Sequence, residues 1–365
     1  MPALFNDIYK NTNVFVTGHT GFKGSWLCLW LRRLGAHVTG FAREPATDPS
    51  HFSLLQPDMT SVTGDVADRE HLVQAVRESE PAIVFHCAAQ PLVRYSYRHP
   101  HETYMSNVMG TLNICDAVRR SDRVKALVAV TTDKVYENRE WLWGYREIDR
   151  LGGFDPYSSS KACAEMVVSC VRNSYLPVDT YGSAHHTLIA SARAGNVIGG
   201  GDWSEDRLIP DIAKATARDA PVVIRNPHAI RPWQHVLECL SGYLLLGARL
   251  LQGTRACADA FNFGPQAHDA ITVGEMVRRM QAFWPQIQPA PNDEANAPHE
   301  AGYLKLDWTK AYDLLGWEPV WNGHTALERT ARWYRDFYAQ GQLDSEDDLD
   351  HYIQDAITRG AVWTT

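Results

Sequence analysis

Val16-Thr17-Gly18-His19-Thr20-Gly21-Phe22-Lys23-Gly24 decides the fold of this chain. Asn13 to Thr17 reads as a short buried strand, and Gly24 to Leu34 as an apolar helix. The glycines between them are spaced G-x-x-G-x-x-G. Gly18 permits a tight turn, Gly21 lets backbone approach a pyrophosphate, and Gly24 lets helix and strand pack closely. The helix start offers free N–H groups and a positive dipole end to an anion. Glycine spacing alone is weak evidence, but between a first strand and a first helix it predicts a dinucleotide site. Thr20, Phe22 and Lys23 belong to the same loop.

Working outward, strand-like runs recur at His37 to Phe41, Ser61 to Thr63, Ala82 to His86, Lys125 to Thr131 and Thr187 to Ala192. Helical patterns lie between them: Arg69 to Glu78, Glu102 to Arg120 and Ser159 to Arg172. The runs are apolar on both faces, as a parallel sheet covered on both sides requires. The expected fold is therefore α/β, a Rossmann-type doubly wound parallel sheet with a smaller, mixed α/β lobe for substrate. The sheet domain is expected over 1–190 with about 233–264, and the lobe over about 191–232 and 265–365. Residues 222–225 are read as a lobe strand, the proline-bearing stretch 285–298 as a linker, and acidic Leu343 to Leu349 as a solvated tail.

Composition narrows the function. The 365 residues are 45% hydrophobic and 21% charged, which excludes a disordered chain. Lys and Arg sum to 35 against 43 Asp and Glu, so the net charge is −8, and the positive field that nucleic acid needs is missing. No apolar run spans a bilayer and the N-terminus does not read as a signal peptide. The seven cysteines form no C-x-x-C pair, which fits free thiols in a reducing cytoplasm. The 15 histidines show no metal-ligand spacing, so no metal is expected.

The acidic residue that usually binds the cofactor ribose about 20 residues after the loop is missing. Strand two ends instead in Ala42-Arg43. Arg43 facing a 2′-phosphate would favour NADP, and Arg43 against adenine or solvent would favour NAD; the sequence favours NAD and leaves both open. Asp65-Val66 follows strand three, where the carboxylate either binds the adenine amino group or starts a helix. Ala88 and Ala89 follow strand four, with small side chains where a cofactor can lie on the backbone. Tyr157-Ser158-Ser159-Ser160-Lys161 puts a phenol and an amine on one helix face at i and i+4. A lysine cation there lowers the phenol pKa, making Tyr157 a base, while Lys161 also holds the ribose.

In this order, Gly18, Gly21, Gly24, Asp65, Ala88-Ala89 and Tyr157-x-x-x-Lys161 resemble the extended short-chain dehydrogenase/reductase family. Thr131-Thr132-Asp133-Lys134-Val135-Tyr136 resembles the Thr-Asp-Glu signature of its nucleotide-sugar 4,6-dehydratases, with Lys at the third place. Together with Arg231-Pro232-Trp233-Gln234-His235-Val236-Leu237-Glu238, it resembles the branch acting on CDP-glucose. The resemblance spans about residues 12 to 340.

It implies a redox-neutral lyase that turns CDP-glucose into a 4-keto-6-deoxy sugar. Tyr157 would take the C4 hydroxyl proton, Thr132 would bond near O4, and Asp133, its pKa raised by burial, would protonate the C6 hydroxyl. Lys134 would act at C5 as free amine or as cation, or form an ion pair with Asp133. Gln90 and Asn107 would border the cofactor, Asn107 supporting the active-site backbone. Arg94, Arg193, Asn196, Arg207 and Arg231 would hold the substrate, with Trp203 or Trp233 stacking on its base. Family members often pair through helices that here span Glu102 to Arg120 and Ser159 to Arg172, implying a homodimer. A nucleotide-sugar epimerase and a non-catalytic NAD(P)-sensing protein are the competing readings. The first does not need Asp133-Lys134, and the second does not need Tyr157 and Lys161.

Overall fold

The computed structural model describes residues 3–224, 226–266, 269–291 and 303–365. The expected strand end at 225 and the linker core at 292–298 lie outside the described residues. The central sheet has seven strands. Six are β1 (Asn13–Thr17), β2 (His37–Ala42), β3 (Thr60–Thr63), β4 (Ile83–His86), β5 (Ala126–Val130) and β6 (Leu188–Ala194). The seventh, Ala260–Phe263, pairs with β6 at the far edge. The order across the sheet is Ala260–Phe263, β6, β5, β4, β1, β2, β3, all parallel.

Strands β4, β5 and β6 are buried on both faces because helices cover both sides. On one side lie α1 (Phe22–Arg33) and the helix Val236–Leu251. The other side carries α3 (Arg69–Ser79), α6 (Gly110–Arg119) and α7 (Pro156–Ser174). Helices α2 (His51–Leu55), α4 (Val93–Arg98) and α5 (Pro100–Tyr104) are short connectors. Chain order reverses between β1 and β4, and a crevice opens there at the carboxyl ends of the strands.

Three expectations change. The helix read over Glu102 to Arg120 is interrupted: α5 and α6 are joined by a wider π turn at Met105–Met109 that carries Asn107. The lobe boundary also moves. Ala192 to Ala194 finish β6 in the main sheet, while Ala311, Trp317, Tyr352 and Trp363 pack into the main core with Trp26 and Trp30. The lobe core is built instead from Ile209, Ile212, Trp233, Met276, Met280 and Trp333. Leu343 to Leu349, finally, is not a solvated tail. Ser345 starts a helix running to Arg359, and Asp348 is buried 3.4 Å from Arg329. Apolar Leu349, Tyr352 and Ile353 drive that docking, which acidic composition alone hides.

Candidate active site

The glycine loop leaves β1 as a turn that only glycine fits at its first position. Gly18 has φ +74°, and a Cβ there would lie 2.7 Å from the backbone of Ala88. A Cβ on Gly24 would lie 2.1 Å from the Gly18 carbonyl oxygen. At Gly21 a Cβ would meet only that same oxygen, at 3.4 Å, so the fold itself does not demand glycine there. No side chain caps the start of α1, which leaves the first-turn N–H groups open to an anion.

Thr20 Oγ1 donates to the Arg43 carbonyl at 3.0 Å. The Arg43 guanidinium is exposed and stands 3.2 Å from Glu102 and 3.9 Å from Asp65. Asp65 Oδ1 also accepts from the Ala67 amide at 2.9 Å, a turn contact, while the start of α3 is capped by Asp68 and not by Asp65. The Val66 side chain is core, packed against Gly110.

Facing the loop, the 88–90 backbone is held by a buried relay. The Ala88 amide donates to Thr17 Oγ1, which lies 2.7 Å from His86 Nδ1. His86 Nε2 meets Thr111 Oγ1 at 3.2 Å, and that hydroxyl donates to the Asn107 carbonyl. The directions fix the tautomer: Nε2 carries the hydrogen and Nδ1 accepts. Burial first, then the Lys161 charge, push the His86 pKa down to about 3, so the ring is neutral. Asn107 holds both backbone groups of Gln90, at 2.8 and 3.1 Å, and donates to Ser160 Oγ, which donates to the Tyr157 carbonyl. The Gln90 side chain turns inward, donating to Thr103 Oγ1 and accepting from the Leu92 amide.

Tyr157 and Lys161 occupy the first turns of α7, which Asp155 caps by accepting from the Ser158 amide at 2.9 Å. Both are buried. The expected lowering of the phenol pKa by Lys161 is not seen. Lys161 Nζ donates to the Val130 carbonyl at 3.3 Å, and burial pushes Tyr157 up to about 12 against the pull of Thr132 and Arg207. Burial and the neighbouring Lys23 cation push Lys161 down to about 8. Thr132 Oγ1 donates to Asp133 Oδ1 at 3.0 Å. Burial raises the Asp133 pKa, as an acid needs, although Lys134, Thr132, Lys23 and Arg231 all pull the other way. Lys134 is half-buried, and among the described residues it makes no ion pair with Asp133.

These groups meet in a cleft of about 860 Å³ between sheet and lobe. Thr132, Asp133, Lys134 and Tyr157 line it, with Arg94, Asn196, Arg207 and Arg231 around them. Arg94 pairs with Asp206 at 3.4 Å and Arg207 with Asp202 at 3.1 Å. Lys23, read as part of the cofactor loop, lines the cleft too, its Nζ 3.5 Å from the Tyr243 hydroxyl. The sequence reading missed Asn138, Arg150 and Asn226, loop residues that only the folded chain brings to this wall.

Two expected substrate residues are elsewhere. Arg193 is buried behind the cleft, 2.8 Å from Glu165, because strand alternation turns it toward α7. Trp203 is lobe core, its Nε1 donating to the Tyr338 hydroxyl and its ring packed on Trp333, Tyr334 and Phe337. Trp233 is the tryptophan that lines the cleft.

A family model described as GDP-mannose 4,6 dehydratase matches residues 15–330. A CDP-glucose 4,6-dehydratase from Salmonella typhimurium is 50% identical over 331 residues, covering 90% of this chain and 92% of that protein. A dTDP-glucose 4,6-dehydratase from Xanthomonas campestris is 27% identical, covering 90% of this chain and 95% of that one. Among solved structures, a dTDP-glucose 4,6-dehydratase from Bacillus anthracis in complex with NAD superposes with a TM-score of 0.72 at 21% identity, covering 89% of this chain and 97% of that one. A Thermotoga maritima UDP-glucose 4-epimerase with UDP-glucose gives a TM-score of 0.74 at 22% identity, over 89% and 99%. At such identities the two structures speak to the fold alone.

Proposed function

The chain belongs to the GDP-mannose 4,6 dehydratase family of nucleotide-sugar enzymes, and from that premise we propose that it dehydrates CDP-glucose to CDP-4-keto-6-deoxyglucose. The observation that carries the reading is the buried Asp133, hydrogen-bonded to Thr132 in the cleft that Tyr157 also lines. An epimerase needs the phenol but no such acid.

The residues fit a nicotinamide dinucleotide. At Gly21 a Cβ would meet only the Gly18 oxygen, at 3.4 Å, so its missing side chain leaves room for a pyrophosphate at the open start of α1. Glu102 and Asp65 flank Arg43, so a 2′-phosphate there would face two carboxylates; this supports NAD over NADP. A bound nicotinamide would supply reversible hydride transfer, for oxidation at C4 and reduction at C6. Lys161 holds the ribose by its ammonium group. Tyr157 accepts the C4 hydroxyl proton as the phenolate, a form that burial disfavours in the free protein and that the positive charge of a bound nicotinamide would favour, while Thr132 orients O4. Asp133 gives its proton to the C6 hydroxyl, which leaves as water. Lys134 takes the place of the carboxylate base of Thr-Asp-Glu relatives: as a free amine it takes the C5 proton and returns it to C5 when hydride reaches C6, and as a cation it steadies the enolate while a water takes and returns that proton. Arg207 and Arg231 face the substrate diphosphate.

The finer setting follows the same reading. Exposed Tyr104, Met109, Leu112 and Met166 lie on α5, the π turn, α6 and α7, and support pairing of two copies there. Seven unpaired thiols support a reducing cytoplasm, and among the described residues no helix is long and apolar enough to cross a membrane.

The test is incubation with CDP-glucose deuterated at C4. Label is expected in the methyl group of a 4-keto-6-deoxy product, with no net build-up of reduced cofactor. Complete loss of label to water, or steady release of NADH, overturns the reading.

A further inference from the structure

The six residues Thr131–Tyr136 carry Thr132, Asp133 and Lys134 between β5 and the outer loop. Both ends of this segment are tied to one buried ion pair. At the first end, Thr131 Oγ1 donates to Glu165 Oε1 at 2.5 Å. Glu165 Oε2 accepts from Ser191 Oγ at 2.7 Å and from Arg193 Nη2 at 2.8 Å. At the last end, Arg193 Nη1 donates to the Tyr136 hydroxyl at 2.7 Å, and its guanidinium lies 5.1 Å from the centre of the Tyr136 ring. The Tyr136 hydroxyl then donates to Asn262 Oδ1 on the edge strand.

Glu165 and Arg193 are each 3% exposed, and neither lines the catalytic cleft. Stability is a poor reason for such a pair, because burying two charges costs several kcal/mol and an apolar pair often serves as well. Position is a better one. Glu165 follows Tyr157 and Lys161 at i+8 and i+4, so all three share one face of α7. Ser191 and Arg193, two apart on β6, share one face of the strand. The pair therefore measures the catalytic segment against the helix that carries the phenol and the amine.

We propose that Glu165 and Arg193 are positioning residues that clamp the segment Thr131–Tyr136 at both ends and so set Asp133 against Tyr157. This rests on the dehydratase reading. A loosened segment leaves the phenol and the amine in place on α7 but lets the acid wander. Elimination then suffers more than oxidation, and ground-state binding of the nucleotide suffers least.

The test cuts the clamp without stripping either buried charge of its partner. Thr131→Val with Tyr136→Phe removes the two grips and leaves Glu165–Arg193 intact. With CDP-glucose and NAD, kcat is expected to fall about tenfold or more while KM stays within about twofold. Reduced cofactor should accumulate in single turnover, because oxidation outruns elimination. Thr131→Ser keeps the hydroxyl and should return kcat to within about threefold of wild type. Unchanged kcat in the double variant overturns the clamp, and so does a loss matched by the unfolded fraction of the same preparation. Amide exchange needs no substrate: residues 131–136 should exchange about tenfold faster in the variant while α7 stays protected. Equal exchange also overturns the clamp. Wild-type enzyme inactive on CDP-glucose overturns the dehydratase reading instead, and the exchange result still judges the clamp.

Discussion

Asp133 is shielded from water at the foot of the cleft, and burial holds its proton more tightly than on a surface aspartate. Replacing it with Asn keeps the shape and removes the transferable proton. Asp133→Asn is expected to cut overall turnover about a hundredfold or more while sparing oxidation, so that a 4-keto intermediate becomes trappable. Tyr157→Phe should stop the reaction before any cofactor is reduced. Arrest of both variants at the same first step would contradict the division of roles. Lys161 gives a pH prediction. Its pKa is lowered to about 8, so the cation is present below that pH and lost above it. The free enzyme's kcat/KM is expected to fall along an alkaline limb near that value, and a profile flat to about pH 10 would speak against it. Tyr157 and Lys161 were legible in the sequence because i and i+4 spacing is local. Arg193 was not, since its partner Glu165 lies 28 residues away and only strand alternation and packing bring them together.

The strand–loop–helix at Gly18 was readable because its requirements are local: a left-handed φ, a close approach and an open helix start. Gly18→Ala is expected to lower the thermal midpoint and weaken NAD binding, because a Cβ at φ +74° costs roughly 1–2 kcal/mol before the clash with Ala88 is counted. An unchanged midpoint and affinity would show that the turn can relax. The break in the helix through Asn107 left no clear mark in the sequence, since Met105 to Met109 holds neither Gly nor Pro. Trp203 misled for a related reason. A glycine-rich approach suggests an exposed loop, yet Trp333, Tyr334 and Phe337 from a distant helix enclose the ring. Trp203→Phe should therefore cost about 1–3 kcal/mol of stability and leave nucleotide preference unaltered. A shift in preference among CDP-, UDP- and dTDP-glucose would return Trp203 to the substrate.

For the whole molecule, the alternation of strands and helices gave the sheet, while the division of the later chain between body and lobe depended on long-range packing. The apolar side chains on α6 and α7 lead to an expectation for the assembly. Met109→Asp with Met166→Glu should convert a dimer into a monomer by sedimentation, and a dimer unaffected by both would place the contact elsewhere.

The edge strand Ala260–Phe263 pairs with β6, yet the chain builds much of the lobe before reaching it. During synthesis, β6, apolar apart from Ser191 and Arg193, stays an open template until that downstream strand emerges. A fragment cut after the lobe helix Leu208–Ala217 would thus hold every residue of the Tyr–Lys pair and still expose a ladder ready to join another chain. Orderly birth of this protein depends on late-arriving backbone sealing an early-made rim.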